Sequence, residues 1–347
     1  MFGQEEDLLN KQLEWKLYDS YNRMLEYARY RKCQLHELLT GREYWAMPKV
    51  VAGKVLLSTS KTNAMIADAI ECQVPFWAGR FGGTEMNAIY QYLAYDMDNS
   101  KDRREDAIER LCHYSGFFPN DISLGEKFVQ MMLTDCAEID LQGQWRRYME
   151  DYIYVKYQKK TTLTQLHHIE PWEMYRYPSS GVKPWTAALK GKKVLVIHPF
   201  EESIHKQYES NREKIFSRIF PCDDILPEFE LITLKAVQTL GGEKDSRFAT
   251  WFDALNWMKE ECAKIDFDVA IIGCGAYGYP LAAEIKRMGK VAIHLAGVTQ
   301  LLFGIIGKRW EEEYPDFSRD IVNEYWIRPN EGERIKKSET IEANCYW

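Results

Sequence analysis

The sequence predicts an α/β fold: a Rossmann-like, mostly parallel sheet with helices on both faces, plus an N-terminal amphipathic helix and a helical insertion. Three observations predict it. Four strand-helix units follow one another between residues 190 and 310, and their strands are near-continuous Val/Ile/Leu runs of the kind a parallel sheet buries on both faces. A further strand, turn and helix stand at VPFWAGRFGGTEMNAIYQYLAY. The first 40 residues carry apolar positions at helical spacing.

Taken in order, Leu9, Leu13, Leu17, Tyr21, Met24, Ala28 and Leu35 recur at steps of three, four or seven, which predicts one long helix ending near Gly41. Its apolar stripe needs a partner surface, either its own domain or a dimer mate. Membrane-peripheral contact fits less well, because acidic and basic residues are mixed on the polar face. VVAGKVLLS then reads as a short strand and TNAMIADAIEC as a helix. Residues 100–160 have helical periodicity broken at Gly116, Pro119, Asn120 and Gly143, and predict helices that cover one part of the sheet. HHIEPWEMYRYPSSGVKPW, with Pro171, Pro178, Gly181 and Pro184, reads as a loop dividing two halves near 170–185.

The second half gives KGKKVLVIHPF, FELITLKAV, FDVAIIGCG and KVAIHLAG as strands. The helices between and after them are ESIHKQYESNREKIFSRIF, RFATWFDALNWMKEECAKI, YPLAAEIKRMG and TQLLFGIIGKRW. Right-handed crossovers make such a series Rossmann-like. The expected organisation is a helical segment over 1–44, an α/β domain over 45–330 and a packed C-terminal extension over 331–347.

Composition excludes other classes. In 347 residues, 45 Lys plus Arg stand against 52 Asp plus Glu, a formal charge of −7, and 46% of residues are hydrophobic. That is too apolar for intrinsic disorder and too acidic for a nucleic-acid groove as the main partner surface. No apolar run approaches the roughly 18 residues of a membrane helix, and the start lacks a signal-peptide pattern, so a cytoplasmic protein is expected. The eight cysteines form no CxxC and read as reduced thiols.

Ligands of open α/β sheets bind beyond the carboxyl ends of the strands, so the turns there carry the candidate chemistry. In Gly79-Arg80-Phe81-Gly82-Gly83-Thr84-Glu85, the glycines allow close backbone approach, Thr84 is a candidate N-cap and the helix start favours an anion. Arg80 offers a phosphate fork, and Glu85 a metal ligand or proton acceptor, unless the two pair with each other. Gly273-Cys274-Gly275-Ala276-Tyr277-Gly278 is a formal GxGxxG after a strand. The acid that would hold an NAD ribose about 20 residues on is replaced by VAIHLAG, which argues against hydride chemistry and leaves a phosphate or sugar as the ligand. His198 and His294 end strands as candidate bases or packing residues. Gln300, Lys308 and Arg309 lie in the last turn region, with Lys308 and Arg309 expected where a helix ends.

RFGGTEMNAI, FDVAIIGCGAYGYPLAAEIKRMGKVAIHLAG and LLFGIIGKRW together resemble the GT-D-type glycosyltransferase domain family, bacterial proteins of surface-polysaccharide and glycoprotein glycosylation. The resemblance spans residues 45 to 330. It implies transfer of a sugar from a nucleotide-sugar donor to an acceptor hydroxyl on a glycan or lipid-linked acceptor. It also implies catalytic roles among Glu85, His198 and His294. Donor contacts would come from Arg80, Gly82, Gly83, Thr84, Gly273, Gly275, Tyr277, Gly278, Gln300, Lys308 and Arg309. Family members hold Mn or Mg on the donor diphosphate through an Asp-x-Glu pair. Here Glu85 stands at the Glu and Arg80 at the preceding Arg, but Gly83 replaces the Asp, so Arg80, Lys308, Arg309 and the turn amides are expected to share the metal's work. A non-catalytic nucleotide- or sugar-phosphate-binding protein of the same fold is the competing expectation, and a scaffold protein working through the first helix is a third.

Overall fold

The computed structural model describes residues 2–41, 49–99, 102–145, 147–173, 183–219, 224–334 and Tyr346. Pro178, Gly181, Cys222, Cys345 and most of the C-terminal extension lie outside the described residues.

Among the described residues seven strands form one all-parallel sheet. They are β3 (Phe76–Gly79), β4 (Leu141–Gln144), β5 (Thr162–Gln165), β6 (Lys193–His198), β7 (Glu230–Lys235), β8 (Val269–Ile272) and β9 (Val291–His294). The order across the sheet is β5-β4-β3-β9-β8-β6-β7. This is the Rossmann-like α/β class the sequence predicts, and strands from both halves join in the same sheet where β3 pairs with β9.

Alternate residues of each central strand face opposite layers, as a sheet covered on both sides requires. Trp77, Leu195, Ile197, Ala270, Ile272 and Ala292 enter one core, with α3 (Gly83–Met97), α4 (Arg104–Ser115) and α5 (Ile122–Asp135). Phe76, Ala78, Val194, Val196, Val269, Ile271 and Ile293 enter the other, with α2 (Thr59–Cys72). In the second half the predicted helices are α7 (Glu201–Ile215), α8 (Trp251–Lys264) and α9 (Gly278–Arg287). Helices α8 and α9 cover the first face and α7 covers the second.

Several expectations are corrected. The run VVAGKVLLS is not a strand of the sheet. It is an antiparallel hairpin of β1 (Val50–Val51) and β2 (Lys54–Val55), turned at Ala52 and Gly53 with φ of 51° and 73°. Positive φ at both central residues is the two-residue turn that matches strand twist. Residues 100–160 contain not only α4, α5 and α6 (Arg147–Lys156) but also the short strand β4, with β5 directly after them. TQLLFGIIGKRW is not one helix. It is α10 (Thr299–Leu302) and α11 (Lys308–Glu313), separated at Gly304, whose φ of 64° leaves the helical region and lets Ile305 bridge to Ile327. Lys308 and Arg309 therefore begin a helix instead of ending one.

Helix α1 (Phe2–Thr40) has the predicted length, and Gly41 at φ 65° terminates it, its N–H bonded to the Glu37 carbonyl at 2.8 Å. Its docked face is the opposite one from that expected. Trp15 packs on Tyr90 of α3 and Tyr152 of α6 with centroids 5.2 and 5.1 Å away, and buried Asn22 donates to Asp151 at 3.3 Å. The stripe read from the sequence remains exposed, with Leu17 at 64% and Met24 at 60%.

Candidate active site

The helices after β3 and β8 leave to one face of the sheet, and those after β6 and β9 leave to the other. Where adjacent connections diverge, a crevice opens at the carboxyl ends of the strands. The four turns singled out in the sequence follow these four strands, and the strands are adjacent at the middle of the sheet.

Glycines and two histidines bring the strand ends together. A Cβ on Gly79 would stand 2.9 Å from His294 Cβ, and one on Gly278 would stand 2.4 Å from His294 Nε2. His294 therefore fills the gap between β3 and the start of α9. Gly273 has the same relation to His198, 2.7 Å from Cδ2, and to the Ala296 carbonyl at 2.6 Å. Ala296 itself is held at φ 56°, a strained position in the turn after β9. Both rings are buried, and desolvation pushes each pKa down to about 3. For His294 the Arg80 charge adds to the lowering. Neither His294 ring nitrogen has a hydrogen-bond partner among the described residues. His198 Nδ1 accepts the Phe200 N–H at 3.0 Å, which places the ring proton on Nε2.

The turn after β3 is the most polar part of the crevice. Gly82 caps α3 without a side-chain hydrogen bond, so the N-cap is not Thr84, which stands inside the first helical turn. The first amides of α3 have no intrahelical acceptor and face an anion favourably. Thr84 donates to Glu85 Oε2 at 3.1 Å, and its hydroxyl also meets Ser115. Ser115 in turn places its carbonyl 3.1 Å from a Cβ on Gly275, so the first glycine turn and the GxGxxG turn touch through the end of α4. A Cβ on Gly82 would fall 1.8 Å from Glu85 Oε2, which shows how closely the carboxylate folds over the turn. No ion pair joins Arg80 and Glu85 among the described residues, although their charges interact.

Arg80 is largely covered. Nη1 donates to the Phe81 carbonyl at 3.0 Å, its guanidinium lies 5.6 Å from the Trp145 ring, and buried Nε has no partner among the described residues. Desolvation lowers its pKa, Glu85, Tyr346 and Tyr314 oppose this, and Arg309 deepens it. Arg309 reaches the same locality from α11, its guanidinium 5.2 Å from the Tyr346 ring and its Nε 3.9 Å from Glu313. Two arginines more than 200 residues apart in sequence thus raise one another's electrostatic cost.

The remaining predicted contacts have protein partners of their own. Tyr277 is buried, stacked on Trp251 at 4.9 Å and bonded to Thr239 at 3.2 Å. Gln300 is buried and ties its turn to the Ile305 carbonyl at 3.2 Å. Lys308 is paired with Glu312 at 3.5 Å. Sequence reading missed Trp145, whose indole donates to the Phe81 carbonyl at 3.1 Å and whose ring would meet a Cβ on Gly83 at 3.1 Å. It also missed Tyr314 and Tyr346. An aromatic directly after a strand end was the available signal for Trp145, hidden because β4 itself was not recognised. Cys274 is buried, and desolvation drives its thiol pKa well up, against a nucleophilic role.

Glu85 is the one carboxylate among the residues predicted for the site, and among the described residues no three His, Cys, Asp or Glu side chains cluster as metal ligands. These residues do not form a cage for a resident Mn or Mg ion.

The chain matches no family model and no curated protein. It is similar to a solved structure titled "Selenomethionine substituted structure of domain of unknown function 1792", at 11% identity over 74% of this chain and 86% of that chain, with a TM-score of 0.35. No described helix is long and apolar enough to cross a membrane.

Replacing Gly278 by Ala should destabilise the fold by about 1–3 kcal/mol through overpacking against His294. Adding His294→Ala should recover part of that loss in a denaturation double-mutant cycle, and strict additivity would separate the two residues. The histidines also set a pH dependence. Each binds a proton near 6.5 in the unfolded chain but near 3 when folded, so the unfolded state takes up protons first and stability falls as pH drops from about 6.5 toward 3. Urea midpoints measured from pH 7.5 to 5 should decline, and His198→Gln should flatten the slope.

Proposed function

We propose that this chain is a glycosyltransferase that takes a sugar from a nucleotide-sugar donor to an acceptor hydroxyl. The observation that carries the reading is the group of strand ends where Arg80, whose Nε has no partner among the described residues, senses Arg309 beside the start of α3, which no side chain caps. That arrangement suits a diphosphate, with a planar fork for two oxygens, a second cation and helix amides for the rest. It agrees with the resemblance of the RFGGTE turn and the FGIIGKRW segment to GT-D-type transferases. A bacterial glycan or lipid-linked acceptor is part of the same proposal.

In the proposed reaction the acceptor oxygen attacks the anomeric carbon as the bond from that carbon to the diphosphate oxygen breaks. The electron pair leaves with the nucleoside diphosphate, and Arg80, Arg309 and the α3 amides hold its growing charge. Glu85 takes the proton of the acceptor hydroxyl. It is preferred to His198, whose Nδ1 is taken by the Phe200 N–H, and to His294, whose ring is packed between Gly79 and Gly278. No step is assigned to a metal ion.

A binding protein without catalysis is the second reading, favoured by Gly83, which stands where the resemblance expects an Asp. The two readings separate on turnover. Nucleoside diphosphates and nucleotide sugars, tested by thermal shift with EDTA and with Mn²⁺, should stabilise the chain selectively, by roughly 2.7 kcal/mol at 100 times Kd. Donor plus acceptor should then release nucleoside diphosphate. Absence of any shift would overturn both readings, and a shift without release under any acceptor would leave the binder.

Glu85→Gln should lower kcat by about 10²–10⁴-fold while donor affinity and melting temperature hold. Gly82→Ala should act in the same direction at small cost in stability, since the added methyl displaces only the end of the Glu85 side chain. Wild-type turnover in both variants would move the base elsewhere.

A further inference from the structure

Helix α1 is two-faced. Trp15, Asn22 and Arg23 hold one face to the sheet's helical layer, with Arg23 donating to the Tyr90 hydroxyl at 2.6 Å. The face turned away carries Leu13, Leu17, Tyr21, Met24, Leu35 and Leu38, each between 53% and 82% exposed. With Tyr27 and Leu39 this stripe amounts to roughly 1,000 Å² of accessible surface, more than a monomer ordinarily leaves open and near the ~800 Å² per partner of a stable interface.

The spacing of the stripe points to its occupant. Leu17, Tyr21, Met24, Ala28, Arg31, Leu35 and Leu38 follow alternating steps of four and three, the 3.5-residue repeat of a helix that packs along another helix. We infer that this face pairs with α1 of a second copy of the chain, antiparallel, with residue i opposite residue 52 − i.

In that register Leu13 meets Leu39, Leu17 meets Leu35 and Met24 meets Ala28. The one charge in the stripe, Arg31, whose Nη1 donates to Gln34 at 3.1 Å, comes over the partner's Tyr21 ring. A parallel pair would instead set Arg31 against its own copy and Ala28 against Ala28, a repulsion beside a void. A membrane surface fits the helix poorly, because its 39 residues hold seven acidic against six basic side chains and anionic lipid selects an excess of basic ones. A helix of 27 stripe residues spans about 40 Å, long enough for a two-stranded pair.

Light scattering on the full chain at tens of micromolar should give twice the 40.8 kDa chain mass. The double substitution Leu17→Glu with Leu35→Glu should give the monomer with an unchanged circular dichroism spectrum. Under mild oxidation, Leu17→Cys with Leu35→Cys should form a cross-linked dimer above the wild-type background, and Leu17→Cys alone should not. A monomeric wild-type chain, cross-linking by Leu17→Cys alone, or a monomer that sediments with phosphatidylglycerol vesicles would each overturn the inference.

Discussion

The fold at the carboxyl edge of the sheet depends on two neutral histidines clasped by glycine backbone. His294 occupies the space that Gly79 and Gly278 leave, and His198 the space that Gly273 leaves. Any larger residue at these glycines would force the ends of β3, β9, β8 and β6 apart. The rings fit only uncharged, because both are buried and the Arg80 charge lies beside one of them. The same contacts therefore set how closely the four strand ends approach one another.

Charge on that scaffold is unevenly resolved. Thr84, Ser115 and Glu85 satisfy one another around the start of α3, whereas the Nε of Arg80 has no partner among the described residues and its charge senses Arg309 from the far end of the chain. Trp145 and Tyr346 line this locality with aromatic faces. Glu313 lies 3.9 Å from Arg309, while the buried Nε of Arg80 has no partner among the described residues. An anionic ligand at Arg80 would offer that nitrogen an acceptor, and this is the physical content of the proposed function.

How much of this was legible in the sequence follows from what each segment buries. Strands β6, β8 and β9 are Val/Ile/Leu runs because both faces are covered, and the edge strand β7, only partly buried, keeps the same apolar run, so all four were readable. Strand β4 was not, since Leu-Gln-Gly-Gln satisfies burial with hydrogen bonds: Gln142 Oε1 accepts from Tyr279 at 2.9 Å and from Gln158 at 3.2 Å. The periodicity of TQLLFGIIGKRW concealed the break at Gly304, because the residues around it are apolar in either conformation. In the crevice, the glycine turns announced themselves as glycine turns, but not which would meet a ligand. Gly273 and Gly278 serve packing, and Tyr277 belongs to the core. Arg80 and Arg309 were each readable as candidates, while their proximity is a property of the strand order alone.

The central claim is that Arg80 and Arg309 hold one dianionic ligand between them. Isothermal titration of a nucleoside diphosphate into the wild-type chain, Arg80→Lys, Arg309→Gln and the double variant tests it most directly. The account predicts that each single change weakens binding about tenfold or more, since the planar fork or the second charge is lost, and that the double variant loses less than the product of the two. Unchanged affinity in both single variants, with the chain still folded, would contradict it.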